Sequence, residues 1–268
     1  MKNKKLIGIL IVLAFLTVLV ILNSTLFTLQ TISINWLTTK YNLEDIKDYT
    51  MVEDINKGES IFLIKKSKIA SSLEKKYPYL RVVSIETKFP NKLVIHSAER
   101  ESMFAIKLED NKYAVVDELG KVLQLSNSSI FAGSDLGAKP IRITLNSVAI
   151  NENDYIPGQA IDNETIVDVI CQTSKSLRES NYVPTTSKGV FLSLDITNRG
   201  DNIELYFKTR NGISIVLKDA MTHMTDKFLL ALERYNYFHQ EGVVTGEIEV
   251  WESVKDEKIW AKYTEIGQ

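Results

Sequence analysis

The side chains best suited to metal binding or nucleophilic catalysis are few in this chain, and they are far apart. Its 268 residues include three histidines, His96, His223 and His239, and one cysteine, Cys171. His223 and His239 fall in one predicted helix, whose rise of 1.5 Å per residue separates them by about 24 Å. A zinc site needs three or four N, S or O ligands close together. The sequence therefore predicts no metal site.

The motifs of covalent and phosphoryl-transfer enzymes are also absent or incomplete. Ser72 and Lys75 fit the S-x-x-K pattern of penicillin-binding proteins, but the S-D-N and K-T-G partners of that acylation site do not follow. A catalytic thiol needs a neighbouring base, and no motif supplies one to Cys171, which we interpret as a small buried residue. Asp117 is predicted to satisfy backbone N–H groups in a turn. We expect no enzyme activity, no catalytic residue and no cofactor.

The charge balance argues against a nucleic-acid-binding protein. The chain has 32 basic and 34 acidic residues, and no basic patch stands out beyond its first five residues. Hydrophobic residues make up 44% of the chain, which suffices for ordinary packed domains. A single cysteine excludes an intrachain disulfide, so the fold depends on its core.

A long apolar segment near the N-terminus is typical of a transmembrane helix. Residues 6–22 read LIGILIVLAFLTVLVIL, and the next charged residue is Lys40, which leaves room for the ~20 residues that a spanning helix needs. Three lysines precede the segment, so the positive-inside rule places the N-terminus in the cytoplasm. We predict a cytoplasmic tail over residues 1–5, a transmembrane helix over residues 6–26 and an extracytoplasmic remainder. A cleaved signal peptide is the alternative, but its apolar core would be shorter.

The segment after the predicted span has the residue pattern of a small α+β domain. Alternation of apolar and polar residues is typical of a half-buried strand, and apolar residues every three to four positions are typical of a helix. Val83 and Ile85 are expected on one face of a strand. The predicted order is strand 31–36, helix 43–49, helix 67–76, strand 82–88 and strand 93–98.

The rest of the chain is predicted to consist mostly of strands. Asp117 and Gly120 supply the turn of a hairpin in residues 112–123, and residues 126–137 are predicted to form an exposed loop. One helix is expected to start at an Asp162 cap, with Ile166, Ile170, Thr173 and Leu177 on its buried face. A second is expected over residues 221–240, with Met224, Phe228, Leu232 and Tyr235 buried. The further predicted strands are 141–145, 191–196, 203–207, 213–217, 247–251 and 258–263.

Six short motifs follow one another in an order known from one family. They are FTLQTISI at 27–34, GESIFL at 58–63, YPYLRVVSI at 77–85, FPNKLVI at 89–95, the pair Glu99-Arg100, which we expect to be solvated, and VDELGKV at 116–122. Following a correctly oriented apolar span, this order resembles the FtsQ/DivIB cell-division proteins. The chain departs from the family at Ser102, where a proline often follows the Glu-Arg pair, and in its last strands, which lack the usual pattern.

The resemblance implies an α+β protein with an N-terminal transmembrane helix. A POTRA domain (β-α-α-β-β) would occupy residues 27–99, and a mostly antiparallel β domain with flanking helices residues 100–268. The implied function is a non-enzymatic, membrane-anchored scaffold of the bacterial divisome at the division septum. It would bind FtsB/DivIC-like and FtsL-like single-span partners and control septal cell-wall synthesis. The alternative is a POTRA-type component of a protein transport or secretion assembly.

The last two strands form the predicted partner-binding site. An exposed edge strand can accept a strand from a partner, and the resemblance implies that an FtsB-like partner supplies it. Trp260 and Tyr263 are aromatic residues of the type enriched at interaction hot spots; the alternative is that they close the core of a terminal hairpin. The candidate contact residues are Ile248, Val250, Trp251, Ile259, Trp260, Ala261, Lys262 and Tyr263.

Overall fold

The computed structural model describes residues 2–35, 58–132, 139–147, 151–181, 184–200 and 202–266. The chain divides into two compact units, Met1–Arg100 and Glu101–Gln268. Both combine helices with a sheet, so the α+β class predicted from the sequence is confirmed. The helix predicted over residues 43–49 lies outside the described residues.

The first unit is built on a three-stranded sheet in the order β1-β3-β2. Parallel pairing joins β1 to β3, and antiparallel pairing joins β3 to β2. Ile69 and Leu73 lie on one face of α2 and pack with Leu80, Leu93 and Ile95 of the sheet. The elements are α1 (Lys2–Thr25), β1 (Thr31–Asn35), α2 (Lys66–Lys76), β2 (Leu80–Lys88) and β3 (Lys92–Glu99).

Helix α1 includes nearly all of the segment predicted to be transmembrane, residues 6–26. All side chains described within it, those of residues 7–21, are exposed. In the described part of the chain, none of the helices meets both the length and the apolar character that a membrane crossing requires. The span over residues 6–26 stays a prediction.

The register of β2 corrects the predicted face of Val83. A β-bulge falls between Val82 and Ser84, and such an extra residue shifts the alternation of side chains along a strand. Val82 and Ile85 therefore pack against the core, whereas Val83 is exposed. The prediction that Val83 and Ile85 share a face was wrong, because alternation read from sequence assumes an unbroken ladder.

Arg100 is also placed differently from the expectation of a solvated pair. Its guanidinium lies 2.8 Å from a carboxylate oxygen of Glu74 in α2, and the two side chains are 8% and 17% exposed. The other oxygen of Glu74 accepts the backbone N–H of Val82 at 2.8 Å. Glu74 of α2 is thus bonded both to β2 and to Arg100, which follows β3. The ion pair joins residues that are far apart in the sequence.

The second unit is built on a nine-stranded sheet in the order β12-β11-β10-β9-β8-β7-β4-β5-β6. Five of its eight neighbouring pairs are antiparallel, and three are parallel. The strands are β4 (Phe104–Lys107), β5 (Lys112–Val116), β6 (Val122–Asn127), β7 (Ile141–Asn146), β8 (Phe191–Arg199), β9 (Asn202–Thr209), β10 (Ile213–Leu217), β11 (Gly246–Glu252) and β12 (Ile259–Thr264). The helices are α3 (Glu164–Glu179), α4 (Pro184–Val190) and α5 (Met224–Gln240).

The core of this unit lies between the sheet and its helices. The ring of Phe228 in α5 packs edge-on against Phe207, with the ring centroids 4.9 Å apart, and lies 6.3 Å from Phe191. The apolar faces predicted for α3 and α5 are confirmed as buried. Asn163, not Asp162, caps α3, because its side chain accepts the N–H of Ile166 at 3.1 Å.

Two local predictions in this unit have different outcomes. The turn at Asp117 is confirmed, since its carboxylate accepts the N–H groups of Leu119 and Lys121 at 3.0 and 2.8 Å. The loop predicted over residues 126–137 was wrong at its start, which completes β6 and continues into a 3-10 turn, Ser128–Phe131. Residues 133–138 lie outside the described residues.

Candidate partner-binding edge

Strand β12 forms one edge of the nine-stranded sheet, with β11 as its strand neighbour. The N–H of Ser253 donates to the carbonyl of Lys258 at 2.9 Å. In an antiparallel ladder, opposite residues alternate between hydrogen-bonded and non-hydrogen-bonded pairs. Ser253 and Lys258 form a hydrogen-bonded pair, so the alternation along the register makes Trp260 and Lys262 bond to β11 as well. The residues between and beside them direct their backbone groups away from β11. The outward N–H and C=O groups are those of Ile259, Ala261 and Tyr263.

One face of this edge presents candidate side chains to solvent. Trp260 is 49% exposed and lies directly opposite Trp251, which is half-buried. Lys262 is exposed and lies opposite Glu249. Aromatic side chains beside an open strand edge offer a partner apolar area next to free backbone groups.

The other face of β12 is turned toward the core of the unit. Ile259, Ala261 and Tyr263 pack against the main hydrophobic cluster. The ring of Tyr263 stacks on Phe238 of α5 with the centroids 4.0 Å apart, and its hydroxyl donates to the carbonyl of Thr245 at 2.8 Å. This contact agrees with the alternative that Tyr263 closes the terminal hairpin, and its side chain is engaged within the unit.

Gly246 makes the close approach of Tyr263 possible. A Cβ on residue 246 would lie 2.4 to 2.7 Å from atoms of the Tyr263 ring, and the backbone there has a φ of +142°. Both conditions favour glycine. The first residue of β11 is therefore fixed by the packing of β12.

Ile248 and Val250 occupy a different environment from the other candidates. Both side chains are fully buried, and their strand is paired on both sides, with β10 and with β12. Their side chains are covered by the protein itself, so the role open to them is to support the edge from within. Contact of the eight candidates with a partner stays a prediction.

Asp256 lies in the turn between β11 and β12, near Trp260. A hydrogen bond from the Ser253 hydroxyl, with further ones from the backbone of Lys258 and the indole of Trp260, lowers the pKa of Asp256. Sequence reasoning missed this residue. Its signal was the pairing of Ser253 with Asp256 in a short turn, where such side chains commonly bond to nearby backbone groups.

The residues considered for catalysis are not brought together. His223 lies before α5, not in it, and its ring nitrogen is 3.1 Å from Glu252. His239 bonds to Asn211 near the other end of α5, and His96 lies in the first unit, 3.6 Å from Glu86. Among the described residues, no three His, Cys, Asp or Glu side chains are arranged to hold a metal ion.

Cys171 is half-buried, not buried as predicted. Burial raises the pKa of its thiol, and the nearby Asp117, Asp168 and Glu118 raise it further. A raised pKa disfavours the thiolate, which is the nucleophilic form.

Comparison with known proteins agrees with the motif order seen in the sequence. Residues 27–100 match the family model described as POTRA domain, FtsQ-type. A protein of Clostridium botulinum named cell division protein DivIB is 26% identical over 218 residues, which cover 80% of this chain and 75% of that protein. A protein of the same name from Clostridium acetobutylicum is 24% identical over 186 residues, which cover 66% of this chain and 70% of that protein.

Proposed function

Because the chain belongs to the FtsQ/DivIB family of cell-division proteins, we propose that it is a non-enzymatic, membrane-anchored scaffold of the bacterial divisome. The β12 edge accepts a strand from an FtsB/DivIC-like partner, and an FtsL-like protein joins the same complex. The complex controls septal cell-wall synthesis. Residues 27–99 serve as the POTRA domain and residues 100–268 as the β domain, both outside the cytoplasm.

The observation that carries this proposal is the outer side of β12. Three residues of the strand, Ile259, Ala261 and Tyr263, direct backbone donors and acceptors outward, and Trp260 lies exposed beside them. An incoming strand gains main-chain hydrogen bonds at such an edge, and an aromatic anchor adds affinity and selectivity.

The membrane anchor in the proposal is α1. Its described side chains are almost entirely apolar and are exposed on every side, and a helix that is apolar all round suits a lipid environment or a protein core. The three lysines that precede it favour a cytoplasmic N-terminus. Confinement to a membrane raises the effective concentration of other anchored proteins, so weak contacts at β12 suffice.

A binding experiment on the full chain tests the edge. Trp260→Ala is compared with Leu125→Ala on β6, because the two side chains are 49% and 48% exposed at opposite edges of one sheet. With an FtsB/DivIC-like protein in the same membrane preparation, we expect Trp260→Ala to weaken binding by about 2 kcal/mol, roughly 30-fold in Kd. Leu125→Ala should bind as the parent does. Equal affinities of all three proteins would remove β12 from the proposal.

Imaging tests the role in division and the anchor together. A fluorescent protein fused to the cytoplasmic N-terminus is expected to form a band at mid-cell that constricts with the septum. A uniform membrane signal throughout division would contradict the divisome role, and a diffuse cytoplasmic signal would contradict the anchor.

A further inference from the structure

Three backbone segments of the first unit meet immediately after α1. The N–H of Leu29 donates to the carbonyl of Glu59 at 2.8 Å, and the N–H of Ile61 donates to Phe27 at 2.9 Å. The N–H of Gln30 donates to the carbonyl of Asn91, in the turn between β2 and β3, at 3.0 Å. The end of α1 is therefore followed by a hydrogen-bonded junction and not by a free linker.

This junction displays an apolar patch, which consists of Leu26, Phe27, Phe62, Leu63 and Phe89. The centroid of the Phe27 ring lies 5.4 Å from that of Phe62 and 6.3 Å from that of Phe89, and the last two are 5.7 Å apart. Phe62, Leu63 and Phe89 are 59%, 68% and 65% exposed. Contiguous exposed apolar side chains of this kind mark a surface that contacts another protein, a ligand or a membrane.

The position of the patch along the chain favours the membrane among these. Phe27 is two residues beyond Thr25, the last residue of α1, so its Cα lies within about 7 Å of the end of the helix. The apolar core of a bilayer is flanked on each side by a headgroup layer several ångströms deep, where aromatic side chains are enriched. If α1 spans the membrane, the patch lies at the depth of that layer.

Lysines flank the patch residues in the sequence. Lys65, Lys66 and Lys68 follow Leu63 and are exposed, and Lys88, also exposed, precedes Phe89. Lys92 lies opposite Lys88 in the β2–β3 hairpin. Lysine side chains at this level attract the phosphates of anionic lipids, and they place their aliphatic stems along apolar surface.

We propose that the patch inserts into the headgroup layer of the membrane from which α1 emerges and that the lysines contact anionic lipids. The inference rests on the proposed anchor, because it needs the membrane at the end of α1. It adds that the first unit is held against the bilayer by its own surface.

Fluorescence quenching in vesicles tests this contact on the full chain. In a Cys171→Ser background, an environment-sensitive fluorophore is attached at Phe89→Cys, at Val83→Cys or at Leu16→Cys. Val83 is the matched control, since it is as exposed as Phe89, at 65%, on the same hairpin but about 20 Å away along the strand. The vesicles contain phosphatidylcholine with phosphatidylglycerol, and the nitroxide quencher sits either on the headgroup or deep in the acyl chain.

We expect headgroup nitroxide to quench the label at residue 89 and leave that at residue 83 unquenched, while deep nitroxide quenches the label at residue 16. Quenching at residue 16 with equal signals at 89 and 83 would overturn the patch and leave the anchor standing. Absence of quenching at both 16 and 89 would overturn the two together.

A charge variant tests the lipid class. Lys88→Glu with Lys92→Glu should lower the quenching at residue 89 in vesicles with phosphatidylglycerol and leave it unchanged in phosphatidylcholine alone. Equal quenching with and without these substitutions in both vesicles would overturn the anionic-lipid part of the proposal.

Discussion

The two edge strands of the nine-stranded sheet, β6 and β12, differ in how their outer backbone groups are used. At the start of β6, the N–H of Val122 donates to the carbonyl of Gln159 at 2.9 Å, and the carbonyl of Val122 accepts the N–H of Gly158 at 2.8 Å. An isolated bridge joins Lys121 to Ala160. Among the described residues, no strand or bridge covers the outer side of β12.

This difference identifies β12 as the edge that the proposal assigns to a partner. Proteins usually cover or interrupt a sheet edge, because free N–H and C=O groups invite unwanted pairing. The second unit covers the start of β6 with its own chain. On β12 the exposed Lys262 discourages pairing between like copies while the backbone remains open.

The largest expected effect comes from the core that supports the β12 end. Phe228→Ala removes a fully buried ring, which should lower the free energy of unfolding by about 3–5 kcal/mol. Because α5 contacts β10, β11 and β12, hydrogen exchange should accelerate more in β11 and β12 than in β5 and β6. Leu229→Ala, on the exposed side of α5, is the control, with an expected change within ~0.5 kcal/mol. Uniform acceleration across the sheet would contradict a local role.

Proline substitutions at neighbouring positions separate the two sides of β12. Ala261→Pro removes an N–H that points outward, so stability should be nearly retained while partner binding falls. Lys262→Pro removes an N–H that bonds to β11 and leaves a carbonyl of β11 without its donor. We expect this to lower the free energy of unfolding in urea by about 1–3 kcal/mol. Equal losses of stability would show that the outward and inward positions are assigned incorrectly.

Gly246→Ala tests the packing between the two terminal strands. The added methyl group would overlap the Tyr263 ring, and overpacking of this kind costs about 1–3 kcal/mol. Gly242→Ala is the matched control, because Gly242 also has a positive φ, of +78°, but nothing lies within 4 Å of the added atom. The difference in Tm between the two variants reports the cost of the contact with Tyr263. Equal losses would assign the cost to the backbone alone.

The smallest expected effect concerns the turn. Because hydrogen bonds lower the pKa of Asp256, their stabilising contribution is complete above the ordinary aspartate pKa of about 3.9 and is lost as the pH falls through the lower value in the folded protein. The indole N–H resonance of Trp260 should shift over this pH range. In Asp256→Asn that shift should vanish, and a shift that persists would exclude Asp256 as its source.

Local patterns predicted most of the elements near the candidate edge. Alternating apolar residues identified β11 and β12, and a periodic stripe identified the buried face of α5, because side-chain direction in a strand or helix follows from backbone geometry alone. The turn at Asp117 was predictable for the same reason. Tyr263 was left between two roles, since its face depends on where α5 places Phe238.

What the sequence determined by itself is the type and order of most elements, the resemblance to the FtsQ/DivIB family, and the apolar character of the segment within α1; the short elements β4 and α4 were not predicted. Only the tertiary structure decided that β10 and β11 pair in parallel across α5, that Ile248 and Val250 are enclosed, and that Trp260 remains exposed at an open edge. The bulge at Val82 and the pairing of Arg100 with Glu74 were likewise decided only by the tertiary structure. Each depends on contacts between residues distant in sequence, and local propensity carries no information about such contacts.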